Sequence, residues 1–214
     1  MKNICLVNGS LRGKKAASLE FLKDIDLKLA DMGYSKTIIT VKVKVKDRYP
    51  EEILNSLTVA DVIIFIFPLH NYGLPGALMK LLEDYYQYKK SYDNHKDAAV
   101  YMIVNCAFPR AGETCGEAGR VIRNFCRRLD LNWRFAICIG TGPVVVMTKK
   151  VPFLYPKLKK AYTEIISDIR SPGKDRKSDY LIKPVIPESI IAAIKRHYEK
   201  KGRMIEPDKK PRQA

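Results

Sequence analysis

The chain has 214 residues, 46% of them apolar, and a formal net charge of +16 from 39 Lys and Arg against 23 Asp and Glu. That length supports one well-cored domain and is short for two of ordinary size, and the apolar share excludes a disordered chain. Five cysteines (Cys5, Cys106, Cys115, Cys126, Cys138), an odd number with no C-x-x-C pair, argue against a disulfide framework, a zinc site and an iron–sulfur cluster run. They read instead as reduced, buried thiols of a cytoplasmic protein. The longest apolar stretches, around 62–67 and 136–147, are too short or too interrupted by Gly and Pro to span a bilayer.

The charge is uneven: residues 1–148 carry 21 basic against 15 acidic side chains, and residues 149–214 carry 18 against 8. Strong basicity raises nucleic acid or an anionic membrane surface as partners. No helix-turn-helix, RNA-recognition or zinc motif accompanies it, so a solvating surface is the favoured reading. A basic surface also suits negatively charged substrates such as NADPH.

In chain order, residues 2–8 read as a strand that breaks into Asn8-Gly9-Ser10-Leu11-Arg12-Gly13-Lys14-Lys15, and a helix follows over 15–32. Leu19, Leu22, Ile25 and Leu29 hold helical spacing, and Gly33 is a suitable stop. Strand, glycine-bearing turn and helix head together make an anion cradle from backbone N–H groups and the helix dipole. Gly9, Ser10, Arg12, Lys14, Lys15 and Ser18 are its candidate residues. Neither the Walker spacing nor the dinucleotide fingerprint is present; a Gly-Ser-x-Arg turn after a first strand points to a flavin mononucleotide phosphate. An exposed basic turn without a ligand accounts for the same residues.

Residues 36–45 read as an exposed or edge strand, Pro50 to Leu57 as a short helix, and 62–67 as a strand buried on both faces. A helix over 75–88, a strand over 98–105, a helix over 113–130 and a strand over 133–140 follow. A closing helix over 155–170, a Pro/Gly/charge-rich segment over 171–187 and a helix over 188–200 come after them. The end after Gly202 is predicted to be disordered. The domain expectation is a body over 1–170 with a basic extension over 171–214 packed on it or trailing from it.

Alternation of strands and helices predicts a doubly wound α/β fold, a five-stranded parallel sheet of flavodoxin-like order 2-1-3-4-5. In that order ligands sit beyond the carboxyl ends of the strands, at the switch point. Three turns should meet there: Gly9–Ser18; Pro68-Leu69-His70-Asn71-Tyr72-Gly73; and Asn105-Cys106-Ala107-Phe108. Gly73 and Gly76 would permit close backbone approach, Tyr72 can stack on a planar ring, and Asn105 can read a ring's polar edge. Among single residues, His70 is either a pocket donor or a loop histidine bonded to nearby backbone. Arg110 could meet a nicotinamide phosphate, although surface solvation is favoured. Cys106 and Cys115 are favoured as structural thiols over a redox sensor. Trp133 reads as core or interface, and the stripe Tyr85, Tyr86, Tyr88 and Tyr92 as packing or a dimer contact. Glu83 and Asp84 read as a solvated helix face.

With these turns in order, the set Asn8-Gly9-Ser10-x-Arg12-Gly13-Lys14, Phe67-Pro68-Leu69-x-x-x-Gly73-Leu74-Pro75 and Ile103-Val104-Asn105-Cys106 resembles the flavodoxin-fold NAD(P)H-dependent FMN reductases over residues 2–142. Gly140-Thr141-Gly142 is similar to the glycine-rich end of the fifth strand in some members. The resemblance implies FMN with its phosphate in the first turn and its ring against the other two, often in a homodimer. It further implies hydride from NAD(P)H passing to a quinone, free flavin or similar small acceptor. The chain departs from the pattern where Lys14-Lys15-Ala16-Ala17 stand in place of the usual hydroxyl and amide side chains, and where His70 replaces a usual Tyr. Two other readings stay open: a flavodoxin-type electron carrier, which the basic charge disfavours, and a non-enzymatic anion- or nucleic-acid-binding module that has lost FMN.

Overall fold

The structure, a computed structural model, describes residues 1–12, 16–30, 32–41, 48–91, 97–107, 111–149, 155–173, 177–183 and 196. The chain divides into one unit over Met1–Pro184 and a second over Val185–Ala214. The helix expected over 188–200, apart from residue 196, the tail after Gly202, and Gly13, Lys14, Lys15, Tyr92, Phe108 and Arg110 lie outside the described residues.

The first unit runs β1 (Asn3–Asn8), α1 (Ala17–Ala30), β2 (Ser35–Thr40), α2 (Glu51–Thr58), β3 (Val62–Pro68), α3 (Gly76–Lys90), β4 (Ala99–Asn105), α4 (Ala111–Arg128), β5 (Asn132–Ile139), α5 (Gly142–Thr148), α6 (Pro156–Arg170) and β6 (Tyr180–Ile182). All strand pairs are parallel, in the order β2-β1-β3-β4-β5-β6. This is the doubly wound flavodoxin-like fold expected, with a sixth strand and a seven-residue helix, α5, added.

The unbroken run Val62–Phe67 is buried throughout because its side chains alternate between two cores. Ile63, Phe65 and Phe67 join Val7, Val104, Leu78 and Tyr85 on the face covered by α2, α3 and α4. Val62, Ile64 and Ile66 join Leu6, Ile103, Ile25 and Ile165 on the face covered by α1, α5 and α6. On α1 the buried stripe is Phe21, Leu22, Ile25 and Leu29, with Leu19 half-buried, so Phe21 takes a place the spacing argument had assigned to Leu19. Gly33 has φ +64°, as its role after α1 requires. β2 is an edge strand, buried only at Ile39 within its span.

One polar grouping corrects the sequence reading, and a second adds to it. Asp84 is not a solvated helix residue: it is buried, accepts the Tyr49 N–H at 2.9 Å and pairs with Lys80 at 2.5 Å. Inside the sheet, buried Arg134 on β5 grips buried Asp168 on α6 in a fork, Nε to Oδ2 at 2.7 Å and NH2 to Oδ1 at 2.8 Å. The Tyr101 hydroxyl donates to Asp168 Oδ2 at 2.8 Å. Burial alone would raise the Asp168 carboxyl. Hydrogen bonds from Arg134 and Tyr101, with the charges of Arg134 and Lys177, outweigh it and hold the pKa below its ordinary value.

This network also explains the sixth strand. Arg134 donates to the Gly173 carbonyl at 3.0 Å, and Asp179 Oδ1 accepts the Ala136 N–H at 2.9 Å. The chain leaving α6 is therefore fastened to β5 on its way to Tyr180–Ile182. All five cysteines are buried and none forms a disulfide among the described residues, and burial pushes Cys5 and Cys126 up to about 12. No helix among the described residues is long and apolar enough to cross a membrane.

Candidate functional site at the carboxyl ends of the strands

The turns after β1, β3, β4 and β5 are stitched together by backbone hydrogen bonds across the strand ends. Gly9 N–H donates to Ile66 O at 2.8 Å, Leu69 N–H to Asn105 O at 2.8 Å, and Cys106 N–H to Ile139 O at 3.0 Å. Gly142 N–H then returns to Cys106 O at 2.8 Å. Parallel register places the described parts of the three sequence-predicted loops side by side, and the Gly140–Gly142 turn joins them.

In the first turn, buried Asn8 accepts the Ser10 N–H on Oδ1 at 3.2 Å, and Ser10 Oγ accepts the Arg12 N–H at 3.2 Å. These bonds curl the chain toward the head of α1 and leave Arg12 exposed. A Cβ at Gly9 would lie 2.7 Å from Phe67 Cβ and 3.0 Å from Leu78 Cδ2. The constraint on Gly9 is thus the packing of β3 and α3 against the turn. Ser18, in the first turn of the 14-residue α1, is fully buried, and its Oγ has no partner among the described residues.

The second turn differs from the glycine argument. His70 N–H donates to Gly73 O at 3.0 Å and Gly73 N–H to His70 O at 2.8 Å, enclosing Asn71 and Tyr72 at φ +45° and +64°. Two successive left-handed residues make a tight turn of the type that joins hairpins. The backbone demand therefore falls on Asn71 and Tyr72. Gly73 and Gly76 have no positive φ, and a Cβ at either would meet nothing closer than 3.6 Å. Pro68 and Leu69 are half-buried, His70 is exposed, and Tyr72 stands 58% exposed at the rim.

In the third turn Asn105 and Cys106 are buried and Ala107 is exposed. Asn105 Oδ1 has no partner among the described residues, and a Cβ at Gly142 would lie 2.8 Å from Asn105 Nδ2. Gly142 was noticed in the sequence only as the end of a strand. Its contact with the Asn105 amide emerges from the sheet register, which brings β5 beside β4. Ser18 Oγ and Asn105 Oδ1 are two polar atoms held out of water without a partner among the described residues, a state that costs about 1–3 kcal/mol each unless a further group supplies one.

The flavodoxin-like fold family matches this sequence over residues 2–118, more than half of the chain. Comparison with curated protein sequences finds no match. Among solved structures, an azoreductase from Bacillus anthracis superposes with TM-score 0.55 at 11% identity, covering 79% of this chain and 98% of that one. An NADPH-quinone reductase from P. pentosaceus gives 0.52 at 15% identity, covering 81% and 99%. An FMN-dependent NADH-azoreductase from Bacillus anthracis in complex with FMN gives 0.53 at 11%, covering 77% and 99%. At these identities the likeness is one of fold, and it agrees with the strand order and the sequence match: the chain belongs to the flavodoxin-like fold family.

Proposed function

We propose that the protein is an FMN-dependent oxidoreductase that passes hydride from NAD(P)H through bound FMN to a small acceptor such as a quinone or free flavin. The observation that carries this reading is the pair of buried atoms without a partner among the described residues, Ser18 Oγ at the head of α1 and Asn105 Oδ1 at the carboxyl end of β4. Ser18 follows β1 and Asn105 ends β4, on either side of β3, and the strand order reverses between β1 and β3, where such a fold opens a crevice for a ligand.

The residues fit the group. The Ser18 hydroxyl can donate to a phosphate at the positive end of α1's dipole, with Arg12 adding full charge. Asn105 Oδ1 can accept from an imide N–H at the edge of a ring, held in place by Gly142 behind its amide. Tyr72, exposed on its strained turn, offers a face for stacking and can shield the site from water. When bound, the flavin supplies the hydride-accepting chemistry, so the protein needs to position and desolvate rather than provide an acid or base. FMN and nicotinamide-dependent reductases among the structural neighbours support the same assignment.

The test is anaerobic stopped-flow mixing of the FMN-loaded protein with NADPH or NADH, followed by a quinone. Rapid loss and then recovery of the visible flavin absorbance is expected. Flavin that binds but is not reduced by either nicotinamide would identify an electron carrier instead.

A further inference from the structure

Between α3 and α4 lies a trough of about 360 Å³ that none of the carboxyl-end turn residues lines. Its apolar walls are Met79, Leu82 and Tyr86 on α3 and Val121 and Phe125 on α4, at helical spacing on both sides. Met79 is 44% exposed, Tyr86 and Phe125 are half-buried, and Leu82 forms a buried floor. The volume falls in the range of about 300–1,000 Å³ usual for small-molecule sites. From Met79 to Tyr86 the slot runs roughly 10 Å at the helical rise, short of the roughly 16 Å that three turns of a docked helix would need.

One end is strongly cationic. Lys90 Nζ sits 4.6 Å from the centre of the Tyr86 ring, and Arg127 and Arg128 close α4 beside it. The Tyr86 hydroxyl is held below its ordinary pKa first by its hydrogen bond with Lys90 and further by the charges of Lys90 and Arg128, a sign of positive field at this end. Basic residues are common in a helix's last turn. Here they border an open apolar slot whose lining includes one carboxylate, Glu83.

We propose that this trough is a second ligand site, which takes an aromatic monoanion, a carboxylate or sulfonate. Its rings lie between Met79, Tyr86 and Phe125, and its anionic group pairs with Arg127 and Arg128. Planar guanidinium suits both anions, since charge-assisted contacts to it are short and strong. The site is separate from the flavin reading and does not depend on it.

The test uses two fluorescent probes with the same ring body, anionic 8-anilinonaphthalene-1-sulfonate and neutral N-phenyl-1-naphthylamine. Both are titrated into the full chain with and without FMN. The sulfonate is expected to bind one site whose affinity FMN leaves unchanged. Arg128→Glu, at an exposed position, should weaken the sulfonate by about tenfold or more, as loss of a charged contact does, while moving the neutral probe far less. Met79→Trp should fill the apolar end and weaken both. Equal weakening of the two probes by Arg128→Glu, displacement of the sulfonate by FMN, or a halving of the sedimentation mass in Arg128→Glu would each overturn the proposal. If the chain fails to bind FMN at all, the comparison of probes and variants still reads out.

Discussion

Gly142 at the head of α5 stands so close to Asn105 at the end of β4 that a Cβ added to it would lie 2.8 Å from Asn105 Nδ2 and 2.9 Å from Asn105 Cβ. One residue thereby fixes where the amide of the other can sit, and the amide carries one of the two unpartnered oxygens of the site. Gly142→Ala should force that amide aside. Overpacking of this kind costs typically about 1–3 kcal/mol, so a lowered denaturation midpoint together with weakened FMN binding is expected. Unchanged stability and affinity would show that Asn105 is free to move.

Ser18 and Arg12 separate fold from ligand in a different way. Ser18→Ala removes a hydroxyl with no partner among the described residues, so folding stability should stay level or rise while FMN affinity falls. Arg12→Ala, at an exposed position, should leave stability alone and weaken FMN by about 1.5–3 kcal/mol, the range for a hydrogen bond to a charged group. Paired chemical denaturation and FMN titration of each variant check this. A Ser18→Ala variant that loses stability without losing affinity would assign the hydroxyl to the fold.

The Arg134–Asp168 pair predicts a pH dependence with a definite sign. The folded-state pKa of Asp168 is depressed, so its contribution is present above the unfolded carboxyl value of about 3.9 and is lost as pH falls through the folded value. Stability should therefore drop steeply below about pH 4, and Asp168→Asn should lack that part of the drop. At neutral pH the same variant leaves Arg134 buried without its counter-charge, a change that costs about 3–5 kcal/mol. Denaturant midpoints from acid to neutral pH, for both proteins, measure it.

Every thiol is buried, and burial pushes Cys5 and Cys126 up to about 12. The thiolate is the reactive form, so the native protein should react slowly with a disulfide reagent and release all five equivalents only on unfolding. A single fast equivalent would point to Cys106 or Cys115 and reopen the redox-sensor reading.

Much of the sheet was legible because β3's uninterrupted Val62–Phe67 run cannot alternate with solvent, and Gly33 marks the stop after α1. The convergence of three turns followed from strand order alone. Other features were not written locally. α5 contains Val144-Val145-Val146, a β-branched run that does not advertise a helix, and β6 is three residues inside a Pro- and charge-rich stretch. Asp84 looks like surface until Tyr49 arrives from 35 positions earlier, and Arg134 until α6 folds back across the sheet. At the site, the glycines drew attention while the backbone demand fell on Asn71 and Tyr72, because a two-residue turn sets φ at its centre and not at its flanks.

The most direct measurement is a titration of the purified protein with FMN, recording the absorption spectrum and the quenching of flavin fluorescence for the native chain and for Ser18→Ala. Saturable binding at one flavin per chain, with a perturbed spectrum and weaker affinity in the variant, is the predicted result. Flavin that stays fluorescent and unbound at every concentration would contradict the account.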